Sequence, residues 1–189
     1  MSWSRLSADQ VQASTWRNGG GQTRELLAWP HVEDWKLRIS VAEIERDGPF
    51  SAYPGVDRWF AVLAGGGVSL LGRELRVGEG LLAFPGEAAP DCRLLAGPTR
   101  DFNAMHRRAQ GHFRIQSASR PLRPLDAAWL GLFTESGGLL THGARGIPLA
   151  PRTLAWCEQP ADQSCVFEAD PERPGAPVGA AWWLVWSEA

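Results

Sequence analysis

Short apolar segments alternate with glycine and proline turns along most of the chain, and long stretches with helical periodicity are absent. The 21 glycines and 14 prolines recur roughly every eight to twelve residues, a spacing typical of β-sandwiches and β-barrels. Residues 7–10 (SADQ) have the form of a capping box and predict one short helical turn. The pattern predicts strands over residues 24–29, 35–45, 58–64, 68–71, 81–84, 93–96, 101–107, 128–133, 137–141, 152–156, 165–168 and 180–187.

Residues 58–87 give the clearest indication of architecture. An apolar segment, FAVL, leads into a triple-glycine turn at 65–67, returns through VSLL, and ends in GEGLLAFPGE. Glycines at these points allow each strand to reverse where a positive φ is needed. This order of strands and turns resembles the middle of a cupin, a jelly-roll barrel.

The segment RPLRP at 120–124 interrupts the strand pattern and predicts a boundary between two parts of the chain. Residues 1–119 contain the clustered polar motifs and are expected to form a barrel with a ligand pocket. Residues 120–189 contain few such clusters and are expected to form a second, structural barrel. Residues 170–177 are rich in proline and glycine and predict a surface loop.

Composition excludes several classes of function. A hydrophobic content of 44% and a charged content of 21% indicate a folded soluble protein. The net charge of −2 provides no basic field for nucleic acid or an anionic membrane, and no apolar stretch is long enough to span a bilayer. The N-terminus lacks the apolar core of a secretion signal, so a cytoplasmic location is expected. The three cysteines are too few for a disulfide framework and are expected to be reduced.

Histidine spacing argues against a metal centre. Cupins commonly hold a metal with two histidines one residue apart, a nearby glutamate and a further histidine, all converging on one face. The four histidines here are His31, His106, His112 and His142, and no two are separated by a single residue. The sequence therefore predicts a site without a metal or another cofactor.

Strand 35–43 has two chemically different faces. Alternation places an apolar set (Trp35, Leu37, Ile39 and Val41) on one face, which is expected to pack between sheets, and Arg38 and Ser40 on the other. That polar face can meet either bulk solvent or a barrel mouth. The constrained loop at 47–58 favours the barrel mouth, because such loops usually shape a site. It ends at Arg58, and two arginines on neighbouring strands are well suited to bind a carboxylate.

The glycine run that follows Asn18 allows two interpretations. It lacks the lysine of a P-loop and the spaced glycines of a dinucleotide-binding turn, so the nucleotide signal is weak. The run can be a flexible turn in which Asn18 bonds its own backbone, or a turn that brings backbone close to a ligand.

Three motifs carry a family resemblance: WRNGGGQTREL from Trp16, WKLRISVAEIERDGPFSAYPGVDR from Trp35, and DFNAMHRR from Asp101. Together they resemble the HutD/Ves family of bacterial cupin-like proteins. The resemblance implies an all-β bicupin of two jelly-roll barrels packed together. It also implies a link to histidine utilisation and a pocket drawn from the motifs, whose expected residues are Trp16, Asn18, Thr23, Glu25, Arg38, Ser40, Glu43, Phe50, Ser51, Arg58, Asn103 and Met105.

The resemblance further implies that a pathway intermediate, formylglutamate or urocanate, is the partner of this pocket. Arginines would neutralise its carboxylates, amides and hydroxyls would bond its remaining polar atoms, and aromatics would cover its carbon skeleton. The expected partner is thus a small carboxylate metabolite, without nucleic acid or membrane, in a protein that can form a homodimer.

Two other classes of function remain open. The chain could be a metal-independent isomerase or hydrolase, with Glu43 and His106 as its acid–base pair. It could also be an interaction module that docks a partner through Trp182, Trp183 and Trp186. Alternation predicts instead that Trp182 and Trp186 point inward and Trp183 points the opposite way.

Overall fold

A computed structural model describes residues 2–170 and 180–189 of the chain. Within these residues the regular structure consists of antiparallel β-strands and two short 3-10 turns, Ala8–Gln10 and Gly86–Ala88. The predicted loop at 170–177 lies outside the described residues except for Asp170. In chain order the strands are β1 (Ser4–Ser7), β2 (Ser14–Thr15), β3 (Gly21–Trp29), β4 (Leu37–Ile44), β5 (Gly48–Pro49), β6 (Val56–Gly65), β7 (Val68–Leu70), β8 (Arg73–Leu75), β9 (Leu82–Pro85), β10 (Asp91–Leu94), β11 (Thr99–Arg107), β12 (His112–Ser117), β13 (Trp129–Thr134), β14 (Gly138–His142), β15 (Arg145–Leu149), β16 (Thr153–Glu158), β17 (Cys165–Ala169) and β18 (Ala181–Ser187).

The chain divides into two units. The central unit is Val11–Gln110, and the split unit combines the described residues of Met1–Gln10 and Gly111–Ala189. This division differs from the predicted boundary at residue 119. The first residues join the split unit because β1 pairs with β16, and residues 111–119 join it because β12 pairs with β18.

The central unit contains two sheets. One has six strands in the order β2-β3-β4-β11-β6-β9, and the other has four in the order β5-β10-β7-β8. Their shared core joins Ile44 and Phe60 of the larger sheet to Val68, Leu70 and Cys92 of the smaller one. Burial of these side chains provides most of the driving force for packing the two sheets together.

This core shows which face of β4 is turned toward the smaller sheet. Ile44 belongs to the core, so alternation turns Ser40 and Arg38 to the same inner side. The Leu37, Ile39 and Val41 side chains, which the sequence predicts to pack between sheets, do not belong to this core. Those side chains are buried on the opposite face of β4, and both faces of the strand are thus removed from bulk solvent over much of its length.

The split unit also contains two sheets, β1-β16-β13-β18-β12 and β15-β14-β17. Its core includes Leu130, Leu132 and Trp183 from the larger sheet with Leu140 and Cys165 from the smaller one. The three cysteines of the chain are free and buried.

Three C-terminal tryptophans are buried and leave no exposed docking surface of the predicted kind. Trp183 points into the core of the split unit, and its Nε1 donates to the Arg120 carbonyl at 3.1 Å. Trp182 lies on the other face of β18, stacked on Phe133 with ring centroids 6.0 Å apart. Trp183 thus points into this core, contrary to the prediction, because β18 presents Trp183 and Val185 to the smaller sheet.

Two local predictions agree with the structure. The turn at Ala8–Gln10 is a 3-10 turn, and the Ser7 amide donates to Gln10 Oε1 at 3.3 Å, as in a capping box. The triple-glycine turn connects β6 and β7, and a Cβ on Gly66 would lie 2.3 Å from the Ala96 carbonyl oxygen. Only glycine permits that close approach of the two backbone segments.

Candidate functional site

The central unit contains a cavity of about 710 Å³. Its wall combines the inner face of the larger sheet with side chains from the segments before β3 and between β4 and β6. The lining residues are Ser14, Thr15, Trp16, Arg17, Asn18, Thr23, Arg38, Ser40, Ala42, Pro49, Phe50, Ser51, Tyr53, Arg58, Asp101, Asn103 and Met105. Strands and a constrained loop thus contribute to one cavity with a largely polar lining.

Strand pairing sets the positions of the wall residues. β11 lies between β4 and β6, and Met105 is directly opposite Arg38 on one side and Arg58 on the other. One row further along, Asn103 is opposite Ser40. Side chains directly opposite one another on antiparallel strands share a face, so these groups converge on the same cavity.

Arg58 is a buried cation held among aromatic rings. Its side chain is only 5% exposed, and its guanidinium carbon lies 4.9 Å from the Phe50 ring centroid, 5.2 Å from Phe84 and 5.8 Å from Tyr53. Nη1 donates to the Ser51 carbonyl at 3.4 Å, whereas the buried Nε has no hydrogen-bond partner. Burial lowers the pKa of Arg58, but an arginine remains charged in a protein. The cavity wall therefore contains a positive charge with an unused donor.

Asp101 is a buried carboxyl group on the same wall. It is 1% exposed, and neither carboxylate oxygen has a hydrogen-bond partner. Burial raises the pKa of Asp101 to about 8, although the Arg58 charge acts in the opposite direction. Asp101 is thus mostly protonated at neutral pH. The nearby Cys92 thiol is neutral as well, because burial and then the Asp101 charge raise its pKa to about 12.

The outer part of the site is organised by polar contacts. Trp16 Nε1 donates to Thr23 Oγ1 at 2.7 Å, and the Trp16 ring meets Phe50 edge-on at 6.5 Å between centroids. The Asn18 Oδ1 accepts from the Gly20 amide at 3.0 Å. This is the local turn that one interpretation of the glycine run predicts, and Asn18 also lines the cavity.

Glu25 and Glu43 do not line the cavity. Glu25 forms an ion pair with Arg38, and both side chains are half-buried. Glu43 lies on the opposite face of β4, where it accepts from Gln22 and lies 3.4 Å from Arg24 and 3.6 Å from Arg100. Burial opposes ionisation of Glu43, but the Gln22 hydrogen bond and the arginine charges outweigh it and lower its pKa. Alternation along β4 turns Glu43 away from Arg38 and Ser40, so the structure does not bring it together with the cavity residues.

The proposed acid–base pair of Glu43 and His106 is not brought together either. Across the β4–β11 pairing, Glu43 is opposite Arg100 and His106 is opposite Leu37, so the two lie at opposite ends of the strands. Six residues of strand separate their positions by about 20 Å. Neither side chain lines the cavity.

The other ten expected residues surround the cavity: Trp16, Asn18, Thr23, Arg38, Ser40, Phe50, Ser51, Arg58, Asn103 and Met105. Sequence reasoning omitted seven lining residues. Asp101 and Ala42 could have been found, because they share alternating faces with Asn103 and Ser40. Tyr53 stood within the constrained loop that was singled out. Ser14 and Thr15 precede the first motif and carried no signal.

Among residues 2–170 and 180–189, no group of three or more histidine, cysteine, aspartate or glutamate side chains is placed to hold a metal ion. The same part of the chain contains no helix that is long and apolar enough to cross a membrane.

Solved structures with the same fold cover the whole chain. A conserved protein of unknown function from Pseudomonas aeruginosa aligns over 100% of both chains with 24% identity and a TM-score of 0.81. HutD from Pseudomonas fluorescens aligns over 100% of both chains with 24% identity and a TM-score of 0.79. A cupin 2 conserved barrel domain protein from Leptotrichia buccalis covers 98% of this chain and 96% of its own, with 12% identity and a TM-score of 0.52. The fold is therefore all-β and cupin-like.

Sequence relatives and a family model show the family to which the chain belongs. An uncharacterized 21.2 kDa Pseudomonas putida protein in the hutC 3′ region is 35% identical over 117 residues, which are 59% of this chain and 62% of the relative. Protein Ves of Cronobacter sakazakii is 34% identical over 116 residues, or 59% of this chain and 64% of its own. The alignments thus span less than two thirds of these relatives. The HutD family model matches residues 8–173, which include every wall residue of the cavity, and the chain belongs to the HutD family.

Proposed function

We propose that this chain is a metal-independent bicupin that binds a small carboxylate intermediate of histidine breakdown, formylglutamate or urocanate, and thereby modulates histidine utilisation in the cytoplasm. Membership of the HutD family and the relative encoded beside hutC support the pathway. The pairing of two sheets within each unit supports two cupin-type barrels.

The observation that carries the proposal is the buried Arg58 with its unpaired Nε. Isolating a cation from water is unfavourable unless an anion compensates it. A ligand carboxylate placed in the cavity would supply that charge, and the aromatic rings around Arg58 would hold the guanidinium plane in position.

The charge of the remaining wall favours an acidic ligand. Arg17 and Arg38 also line the cavity, and Arg17 forms no ion pair within the described residues, whereas Arg38 is paired with Glu25. Ser40, Asn103 and Thr23 provide polar groups for an amide or an imidazole. A hydrogen bond to a charged group contributes roughly 1.5–3 kcal/mol, so two or three would contribute roughly 3–9 kcal/mol toward binding before ordering costs.

Ligand-induced stabilisation tests this proposal directly. Purified protein is heated with histidine, urocanate, formiminoglutamate, formylglutamate or glutamate, and hits are titrated by calorimetry. A ligand at about 100 times its Kd stabilises the fold by roughly 2.7 kcal/mol and raises the unfolding midpoint by several degrees. Stabilisation by formylglutamate or urocanate that is lost in Arg58→Met supports the proposal, and absence of any shift across the panel overturns it.

The modulatory role requires a separate experiment in a host that grows on histidine. We expect deletion of the gene to change the level of histidine-degrading enzymes, and the parent gene to restore it. The Arg58→Met protein, expressed at the same level, should fail to restore it because it cannot bind the metabolite. Full restoration by that variant would show that the effect on enzyme levels does not depend on ligand binding in the cavity.

A further inference from the structure

The cavity wall contains three polar groups that no other part of the described chain satisfies. They are both carboxylate oxygens of Asp101, Oδ1 of Asn103 and Nε of Arg58. Asp101 and Asn103 project from the same face of β11, and Arg58 lies on the adjacent β6, opposite Met105. Buried polar groups in native proteins are almost always hydrogen-bonded, so three unpaired groups on one cavity wall indicate a bound partner.

We propose that Asp101 takes part in binding as a neutral carboxylic acid that donates its proton in a hydrogen bond to a ligand oxygen. This makes the cavity selective for acids that lack a free ammonium group. The inference rests on the proposed function and adds the chemical class of ligand that the same site accepts.

The surroundings of Asp101 favour the neutral form. The titratable groups that face it are Arg58 on β6, Cys92 on β10 and, around the cavity, Tyr53, Arg38 and Arg17. Arg58 is the facing charge that would stabilise an ionised Asp101, yet the two do not form an ion pair, and burial outweighs the Arg58 charge. A ligand carboxylate beside Arg58 would add a negative charge to this wall and favour the protonated acid further.

An ammonium group would find no compensating charge in this cavity. Glu25 is engaged with Arg38, and a neutral Asp101 offers no full negative charge. A free amino acid would therefore bury its cation without a partner, whereas its N-acylated or deaminated counterpart would not. We expect about 30-fold weaker binding of the amino acid in each matched pair.

Two matched pairs and one variant test the inference. Calorimetric Kd values are measured for formylglutamate against glutamate and for urocanate against histidine, at pH 7 and pH 9. Formylglutamate has no group that titrates in this range. Because binding requires the protonated Asp101, its affinity should fall about tenfold from pH 7 to pH 9, as expected for a group with a pKa of about 8.

Asp101→Asn is the matched control, because its amide can still donate a hydrogen bond but does not ionise. It should bind formylglutamate with the same affinity at pH 7 and pH 9. If this variant fails to fold, titration of the parent at pH 8 in two buffers of different ionisation enthalpy replaces it. About half a proton should be taken up for each formylglutamate bound.

Failure of this inference and failure of the proposed function give different results. Equal affinity for an acid and its amino acid, or an affinity that does not change with pH in the parent, overturns this inference and leaves the proposed function standing. Absence of binding by all four compounds at both pH values overturns the proposed function and this inference together.

Discussion

Arg58 and Asp101 lie on the same buried wall of the cavity, yet no ion pair joins them. Each has polar atoms without a hydrogen-bond partner, an arrangement that is unfavourable in the unliganded protein. Binding residues often lower the stability of the unliganded protein, because their polar groups stay unpaired until the ligand binds to them.

Replacing Arg58 with Met should remove ligand binding without lowering stability. Met retains apolar contact with Phe50 and Phe84 and eliminates an isolated buried charge. We expect affinity to fall about 100-fold and the thermal unfolding midpoint of the unliganded protein to stay equal or rise. Calorimetry and a thermal melt measure both. Arg58→Lys keeps the charge but loses the planar fork, so unchanged affinity in that variant would contradict a directional role for the guanidinium.

The unliganded protein should become less stable as the pH rises from 5 to 8. The folded-state pKa of Asp101 is raised to about 8, above its ordinary value, so the folded state retains a proton that the unfolded chain has released. The stabilising contribution is full below the unfolded pKa and declines by up to about 1.4 kcal/mol per pH unit until the folded pKa is reached. Urea unfolding at pH 5, 6.5 and 8 measures this slope. The slope should be smaller in Asp101→Asn, and equal slopes would show that Asp101 ionises normally.

Arg38→Ala and Glu43→Gln should affect binding differently. Arg38 lines the cavity, but its side chain is 35% exposed and already paired with Glu25, so its loss should weaken binding about tenfold. Glu43 lies on the other face of β4, and its replacement should leave affinity within about twofold. Titration of both variants with formylglutamate tests the contrast. A large loss of affinity in Glu43→Gln would show that Glu43 contributes to ligand binding.

Gly21→Ala should destabilise the protein more than Gly19→Ala. A Cβ on Gly21 would lie 2.3 Å from the Glu43 carbonyl oxygen, so β3 and β4 would have to separate, at about 2–3 kcal/mol. Gly19 has a φ of +65° with nothing near its missing Cβ, and its substitution carries only the backbone penalty of about 1 kcal/mol. Denaturant unfolding of both variants gives the comparison. A smaller loss of stability in Gly21→Ala than in Gly19→Ala would show that β3 and β4 can separate enough to admit the methyl group at little cost in free energy.

Alternation and turn chemistry made much of the site predictable. Alternation assigns Arg38 and Ser40 to one face of a strand, and prolines and aromatics mark the loop that ends at Arg58. Alternation and loop composition can be read from short stretches of sequence. The structure places Arg38, Ser40 and Arg58 around one cavity. The short stretches do not reveal which face of β4 meets the smaller sheet. The apolar face looked like the interior, whereas both faces are buried and the polar one lines the cavity.

Long-range pairing was the part that local patterns could not supply. Asp101 stood within a quoted motif, but its unpaired state depends on burial by segments far away in the sequence. Ser4–Ser7 carries no sequence signal that it pairs with Thr153–Glu158. Alternation predicts the wrong face for Trp183, because both faces of β18 carry large buried apolar residues. Without polar residues on one face, the sequence does not show which face points into the core.

The pairing of β1 with β16 has a consequence for synthesis of the chain. The central unit, Val11–Gln110, is continuous, so all of its strands have been made once residue 110 has been added. The first strand, in contrast, has no partner until Thr153–Glu158 has been translated. Domains generally fold as units during translation. We therefore expect the cavity-bearing unit to fold first, while Ser4–Ser7, although made before it, reaches its final place only after Thr153–Glu158 has been made.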